Sequence, residues 1–241
     1  MNPPIVITNN SFQVAWVNAA RRLKDNGWDL WNLVVHITDP TNYDNKLNAI
    51  VTDFSDENCL IRPKGVAYTI FPHKLYNRVH SADKVYSEYL DKIYPWTRTR
   101  DHSGWGTYFH RMINYYDDRR TNQLSNIINA INDRDRISRA AYTIVIEKPG
   151  GETTRPLGAP CLNYIAVQVE PNVTSKTISL LCIYRNHDFL KRAYGNYWGL
   201  CNLLCFIAAE THSSPGTLTC ISSHAYVDEK RASLRNFLEV L

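Results

Sequence analysis

A chain of 241 residues with 44% hydrophobic and 21% charged content has the make-up of an ordinary globular protein, long enough for one sizeable core. The net charge of +4 is modest and its basic residues are scattered, which favours a small phosphate-bearing ligand over a long nucleic acid. The longest apolar run, 203–209, is far shorter than the ~20 residues of a membrane helix, and the opening Met1-Asn2-Pro3-Pro4 lacks the regions of a secretory signal, so the cytosol is the expected compartment.

In chain order, residues 11–26 are predicted to form an amphipathic helix, with Phe12, Trp16, Ala19 and Leu23 on one face and Gly27 as the stop. A strand is expected at 30–37, bounded by Asp39-Pro40, followed by two shorter strands at 49–54 and 67–71. Residues 73–94 return to a helical pattern, which Pro95 ends. Two glycines, three arginines, two histidines and four aromatics crowd into residues 96–112, as suits a binding loop leading into a helix. A short helix at 123–131, a strand at 142–146 and a turn at Pro149-Gly150-Gly151 follow. Six cysteines at irregular spacing point to free thiols.

The chemistry concentrates in residues 160–226. Pro160-Cys161 precedes the alternating segment 164–169, and an apolar strand at 178–184 leads into Arg185-Asn186-His187-Asp188. Asn196 stands eight residues beyond Asp188 at the head of a long apolar helix, and His224-Ala225-Tyr226 closes the run. A thiol can attack a ring, a guanidinium can grip phosphate with its planar fork, and an amide can read a base edge.

In order and spacing this set resembles the thymidylate synthase family over roughly residues 96–228, closest to its archaeal and nucleotide hydroxymethylase branch. The resemblance implies an α/β (α+β) fold, a mixed sheet flanked by helices in a single domain, with 1–95 as an N-terminal elaboration and 96–241 as the catalytic core. It implies a methyltransferase or hydroxymethyltransferase that adds a one-carbon unit to C5 of a pyrimidine nucleoside monophosphate through a Cys161 adduct. The one-carbon donor would be 5,10-methylenetetrahydrofolate, and the assembly a homodimer, since the family donates phosphate arginines across its interface. No metal is implied.

By the same resemblance Arg185 and Arg139 bind phosphate, Arg139 in trans. Ala140 stands where a second arginine is usual, leaving Arg98, Arg100 or Arg136 as substitutes. Asn186 occupies the position of a phosphate-binding serine, Asp188 orients the base or folate ring, Asn196 reads the base, and His224 with Tyr226 holds the sugar. The family's proton-relaying glutamate has no counterpart between Glu88 and Glu147. His110, in the segment Tyr108-Phe109-His110-Arg111, takes that slot, and Tyr108 joins the catalytic set. Phe237-Leu238-Glu239-Val240-Leu241 stands in place of the tail that closes over folate. Two alternatives stay open: a folate-independent reaction using the same pocket and thiol, and nucleotide binding without turnover.

Overall fold

The computed structural model describes residues 3–100, 104–133, 139–155, 157–172 and 175–241, and for 98–100 the backbone alone. Six strands form one mixed sheet, flanked by helices around a single core, in the expected α+β class. The strands are β1 (Ile5–Asn9), β2 (Asp29–Ile37), β3 (Ala140–Val145), β4 (Leu162–Pro171), β5 (Lys176–Asp188) and β6 (Ser214–Tyr226). Their order is β1-β2-β6-β5-β4-β3, with β1 parallel to β2, β5 parallel to β6, and the other neighbours antiparallel.

The first helix forms as its pattern predicts. Helix α1 (Phe12–Asp25) starts at Ser11, whose hydroxyl accepts the Val14 N–H, and it buries Phe12, Trp16, Ala19 and Leu23. The strands expected at 49–54 and 67–71 are instead helices, α2 (Asn45–Glu57) and α3 (Pro63–Ile70). The β-branched run Ile50-Val51-Thr52 imitates a strand, but Asp44 caps the backbone N–H groups of Lys46 and Leu47 and starts a helix there. Tertiary context then overrides the β-propensity. At 63, proline occupies the first helical turn, where its missing N–H costs nothing, so what reads as punctuation is a helix start.

Residues 73–94 are helical in two pieces, α4 (His73–Val79) and α5 (Ala82–Glu88), divided at His80 by a left-handed backbone (φ 46°). Pro95 does not end the run. A π turn at Tyr89–Ile93 carries α5 into α6 (Tyr94–Arg100), and its wider hydrogen-bond loop accommodates a residue that cannot donate. Helices α7 (Tyr108–Ile113), α8 (Gln123–Asn132), α9 (Tyr194–Glu210) and α10 (Arg231–Val240) complete the set. Helix α10 places Phe237 in a stack on Phe54 of α2, ring centroids 4.2 Å apart, and none of residues 237–241 lines the cleft described below.

One irregularity shapes the sheet. Side chains on a strand alternate faces, so buried positions recur every two residues. Here β2, β6, β5 and β4 each contain one step of three: Leu30 to Leu33, Ser222 to Ala225, Tyr184 to His187, and Leu162 to Ile165. The four steps stand side by side, because Leu33 and Tyr184 both pair with Ser222 and Leu162 pairs with Tyr184. Asn32 takes a left-handed backbone (φ 58°) within its step. The four central strands therefore turn their faces over at one level, as stacked bulges do.

Helices α1 and α9 lie against the sheet, while the other face leaves Trp31 61% exposed and Leu181, Ile183 and Ile221 half-buried. Helix α3 lies directly on α9 because two glycines let the backbones meet. A Cβ on Gly195 would stand 2.6 Å from the Pro63 carbonyl oxygen, and one on Gly199 2.7 Å from that of Ala67. Gly199→Ala is expected to destabilise the fold by about 1–3 kcal/mol. The sign would be a lower urea midpoint at unchanged slope; a wild-type midpoint would mean that the two backbones do not touch there.

Candidate active site

The cleft opens where the sheet turns over, at the C-terminal end of β5. Cys161 just before β4, Asn186, His187 and Asp188 from β5, Asn196 from α9, Thr69 from α3 and Tyr108 from α7 line a space of about 220 Å³. Beside it lies a chamber of about 680 Å³ walled by Ile61, Ile93 and Trp96, with Thr69 and Arg192 common to both. The smaller space alone lies below the roughly 300–1,000 Å³ usual for small-molecule sites, whereas the larger one reaches that range.

Cys161 is half-buried on the cleft wall and held by its neighbours. The Arg185 backbone N–H donates to the Cys161 carbonyl (2.9 Å) and the Arg185 guanidinium Nε donates to the Pro160 carbonyl (3.2 Å). From the other side Tyr108 stands on the same cleft wall, and burial, then Cys161, push its phenol's pKa up. Helix α7, which carries Tyr108, is capped by Thr107. It is pinned by buried Arg111, whose guanidinium bonds Glu152 at 2.6 Å and donates to the Trp105 carbonyl at 3.0 Å.

Burial pushes the Cys161 thiol up from its ordinary value; Arg185 and then Arg192 pull it down, and Asp188 adds to the rise. Burial likewise raises the Asp188 carboxyl, although its Oδ1 accepts the backbone N–H groups of Leu190 (3.1 Å) and Lys191 (2.9 Å) and so begins the π turn Phe189–Ala193. Among the described residues Asp188 is the one carboxylate on the cleft wall. Asn196 is buried, with its Oδ1 lacking any hydrogen-bond partner. Arg185 also buries an unpartnered nitrogen, Nη2, but it lies behind Pro160 and Cys161 and does not line the cleft.

His224 stands beside the cleft. Its Nδ1 meets Asn186 Oδ1 at 3.2 Å and its Nε2 meets Asp29 Oδ2 at 2.9 Å, with Trp31 stacked on the ring at 4.5 Å. Tyr226 stacks on His224 at 5.2 Å, and burial, then Asp188 and Cys161, push its phenol up to about 12. Two residues expected at the site stand elsewhere. The His110 ring, on the inner side of α7, is buried in a stack on Tyr94 at 3.7 Å and does not reach the cleft. Arg139 is exposed just before the edge strand β3, remote from this chain's cleft. Of its named substitutes, Arg136 and the side chains of Arg98 and Arg100 lie outside the described residues.

Sequence reasoning passed over Arg192 and His187. Arg192 stands four residues after Asp188, the spacing that brings two side chains to one helical face, and this signal was available. His187 sits inside the run Arg185-Asn186-His187-Asp188, where sequence alone gives it no role. Among the described residues no three His, Cys, Asp or Glu side chains are placed to hold a metal ion, and no helix is long and apolar enough to cross a membrane.

No protein-family model matches the chain, and no curated protein matches it in sequence. The chemistry of the cleft stands on its own residues.

The opposed influences on Cys161 can be measured in a Cys59→Ser background, which removes the exposed thiol. Iodoacetamide labelling of Cys161, followed by peptide mass spectrometry, should rise only above the ordinary thiol range of about 8.5. Asp188→Asn should shift the profile to lower pH and Arg192→Gln to higher pH. A wild-type midpoint near neutrality would contradict the dominance of burial.

Proposed function

We propose that the chain is a transferase adding a one-carbon unit, methyl or hydroxymethyl, to C5 of a pyrimidine nucleotide. One observation carries the reading: a half-buried thiol shares a cleft wall with an unpartnered buried carboxamide oxygen and an arginine, Cys161 with Asn196 and Arg192. The ordered resemblance of 160–226 to the thymidylate synthase family supports it.

In this reading the Cys161 thiolate bonds to C6, and the C5=C6 electron pair moves to C5, which becomes nucleophilic. After C5 gains its new bond and loses its proton, the sulfur–C6 bond breaks and the double bond returns. A small ionised fraction suffices, because a thiolate is intrinsically nucleophilic. Asn196 pairs with the base, Arg192 on the cleft wall draws in the phosphate, and Tyr108 stands beside the thiol. Asp188, whose raised pKa suits proton exchange, takes the role to which His110 is turned away. Asn186, His224 and Tyr226 form the sugar side.

The one-carbon unit would be supplied at the formaldehyde level by 5,10-methylenetetrahydrofolate, with a hydride from the folate, leaving dihydrofolate, completing a methyl group, or water completing a hydroxymethyl group as tetrahydrofolate departs. The aromatic and aliphatic walls of the adjoining chamber, Trp96, Ile61 and Ile93, suit a flat ring, and Lys92 suits an acidic tail. The missing glutamate and the inward-facing His110 favour a second reading, in which the thiol activates the base without folate.

Tritium release from C5-labelled dUMP, dCMP, UMP and CMP, with and without methylenetetrahydrofolate, separates the readings. Folate-dependent release is expected, with Cys161→Ala reduced to background yet still binding nucleotide. Release without folate favours the second reading, and binding with no release by wild type would exclude both. Ligand at 100 times its dissociation constant should add about 2.7 kcal/mol to thermal stability.

We also propose a homodimer built on the open sheet face, where Leu181, Ile183 and Ile221 are half-buried in a single chain. Arg139, distant from its own cleft, is then the arginine offered to the partner. Ile183→Lys should convert a sedimenting dimer into a monomer. A wild-type monomer that binds nucleotide would overturn this assembly.

A further inference from the structure

Asn196 does not face the cleft alone. Its Nδ2 meets His187 Nε2 at 3.1 Å, and His187 Nδ1 meets the Ser222 hydroxyl oxygen at 2.8 Å. All three side chains are buried. The imidazole stacks flat on Tyr184, centroids 4.1 Å apart and 3° from parallel, with the edges of Tyr197 and Phe189 on its flanks. The ring is thus fixed in plane and position.

Burial pushes His187 down to about 3, so the ring is neutral at physiological pH and carries a single N–H. An amide nitrogen only donates. Nε2 therefore accepts from Asn196, the proton sits on Nδ1, and Nδ1–H donates to Ser222 Oγ. With one N–H engaged by His187, Asn196, which lines the cleft, keeps a buried, unpartnered Oδ1 and a second N–H. Exchanging these two atoms requires the amide to rotate, the imidazole proton to change nitrogen and the Ser222 hydroxyl to reverse. Any one change alone leaves a buried polar group unpaired.

We propose that Ser222 and His187 form a specificity-determining relay that fixes the order of acceptor and donor Asn196 presents to a pyrimidine. This rests on the nucleotide reading above. Uracil offers N3–H beside a carbonyl oxygen, and cytosine offers bare N3 beside an amino group. With the ring placed by the thiol and the phosphate arginine, one order of amide atoms matches only one of these edges. His187 and Ser222 touch no substrate edge in this scheme and act through Asn196 as positioning residues.

Two measurements test the relay. In wild-type protein, ¹⁵N NMR of the His187 ring at pH 7 should show Nδ1 protonated and Nε2 bare; the opposite tautomer would overturn the assignment without requiring any variant to fold. Calorimetric titration of dUMP and dCMP should show wild type preferring one of them. Ser222→Ala, which removes the acceptor holding the Nδ1 proton, should shrink that preference by about tenfold, the weight of one hydrogen bond, and Ser222→Thr should retain it. A merely structural role would weaken both nucleotides equally and leave the ratio unchanged, which would overturn the relay alone. Failure of wild type to bind either nucleotide would overturn the nucleotide reading and the relay together.

Discussion

The structure depends on the sheet turning its faces over at one level in four neighbouring strands. A regular β5 would send alternate side chains from Tyr184 onward to fixed faces and would put His187 opposite Tyr184. The step of three instead brings His187 onto Tyr184 in a flat stack and bends Arg185 and Asn186 toward the Cys161 segment. The step in β6 carries Ser222 to His187 and His224 to Asn186. That in β4 falls between Leu162 and Tyr164, immediately after Cys161. Removing the step from one strand would misalign all its neighbours, because their pairings share the same level.

Electrostatics at the thiol are a contest between burial and two arginines, and burial has the larger effect. A surface thiol with the same arginines would ionise readily, but it would also meet water and other electrophiles. Partial burial keeps the sulfur mostly protonated while the guanidinium groups keep the thiolate within reach. Asp188 belongs to the same field, and its carboxyl is raised by the same burial. Protonating it would relieve the rise it imposes on Cys161, so the proton states of the two are linked.

Much of this was legible in the sequence where local signals agreed with the final packing. Helix α1 announced itself through its apolar spacing and Gly27, and α8 and β5 through their periodicity. The misreadings arise where local residues imitate strands: α2 carries β-branched residues but is started by the Asp44 cap, and α3, which opens on a proline, is held by its close packing on α9. The cluster of Cys161, Asn186, Asp188 and Asn196, singled out in the sequence by a resemblance in order and spacing, does line one cleft. The placement of His110 could not, since one position on a six-residue helix decides between cleft and core. The aligned steps in the sheet were hidden as well, because each strand alone shows only a local lapse in alternation.

An unpaired buried polar atom costs roughly 1–3 kcal/mol, and Asn196 Oδ1 and Arg185 Nη2 both carry that cost around Cys161. Buried tyrosine hydroxyls elsewhere, such as Tyr86, are also unpartnered, so an orphan atom alone does not define a site. What distinguishes Asn196 is that its amide nitrogen is held by His187 while the residue itself lines the cleft. A leucine there would fill the same space without the penalty, and His187 and Ser222 would then have no reason to be polar. Three buried polar residues in series, ending on one unsatisfied oxygen at a cleft, make physical sense when a ligand donor completes the chain.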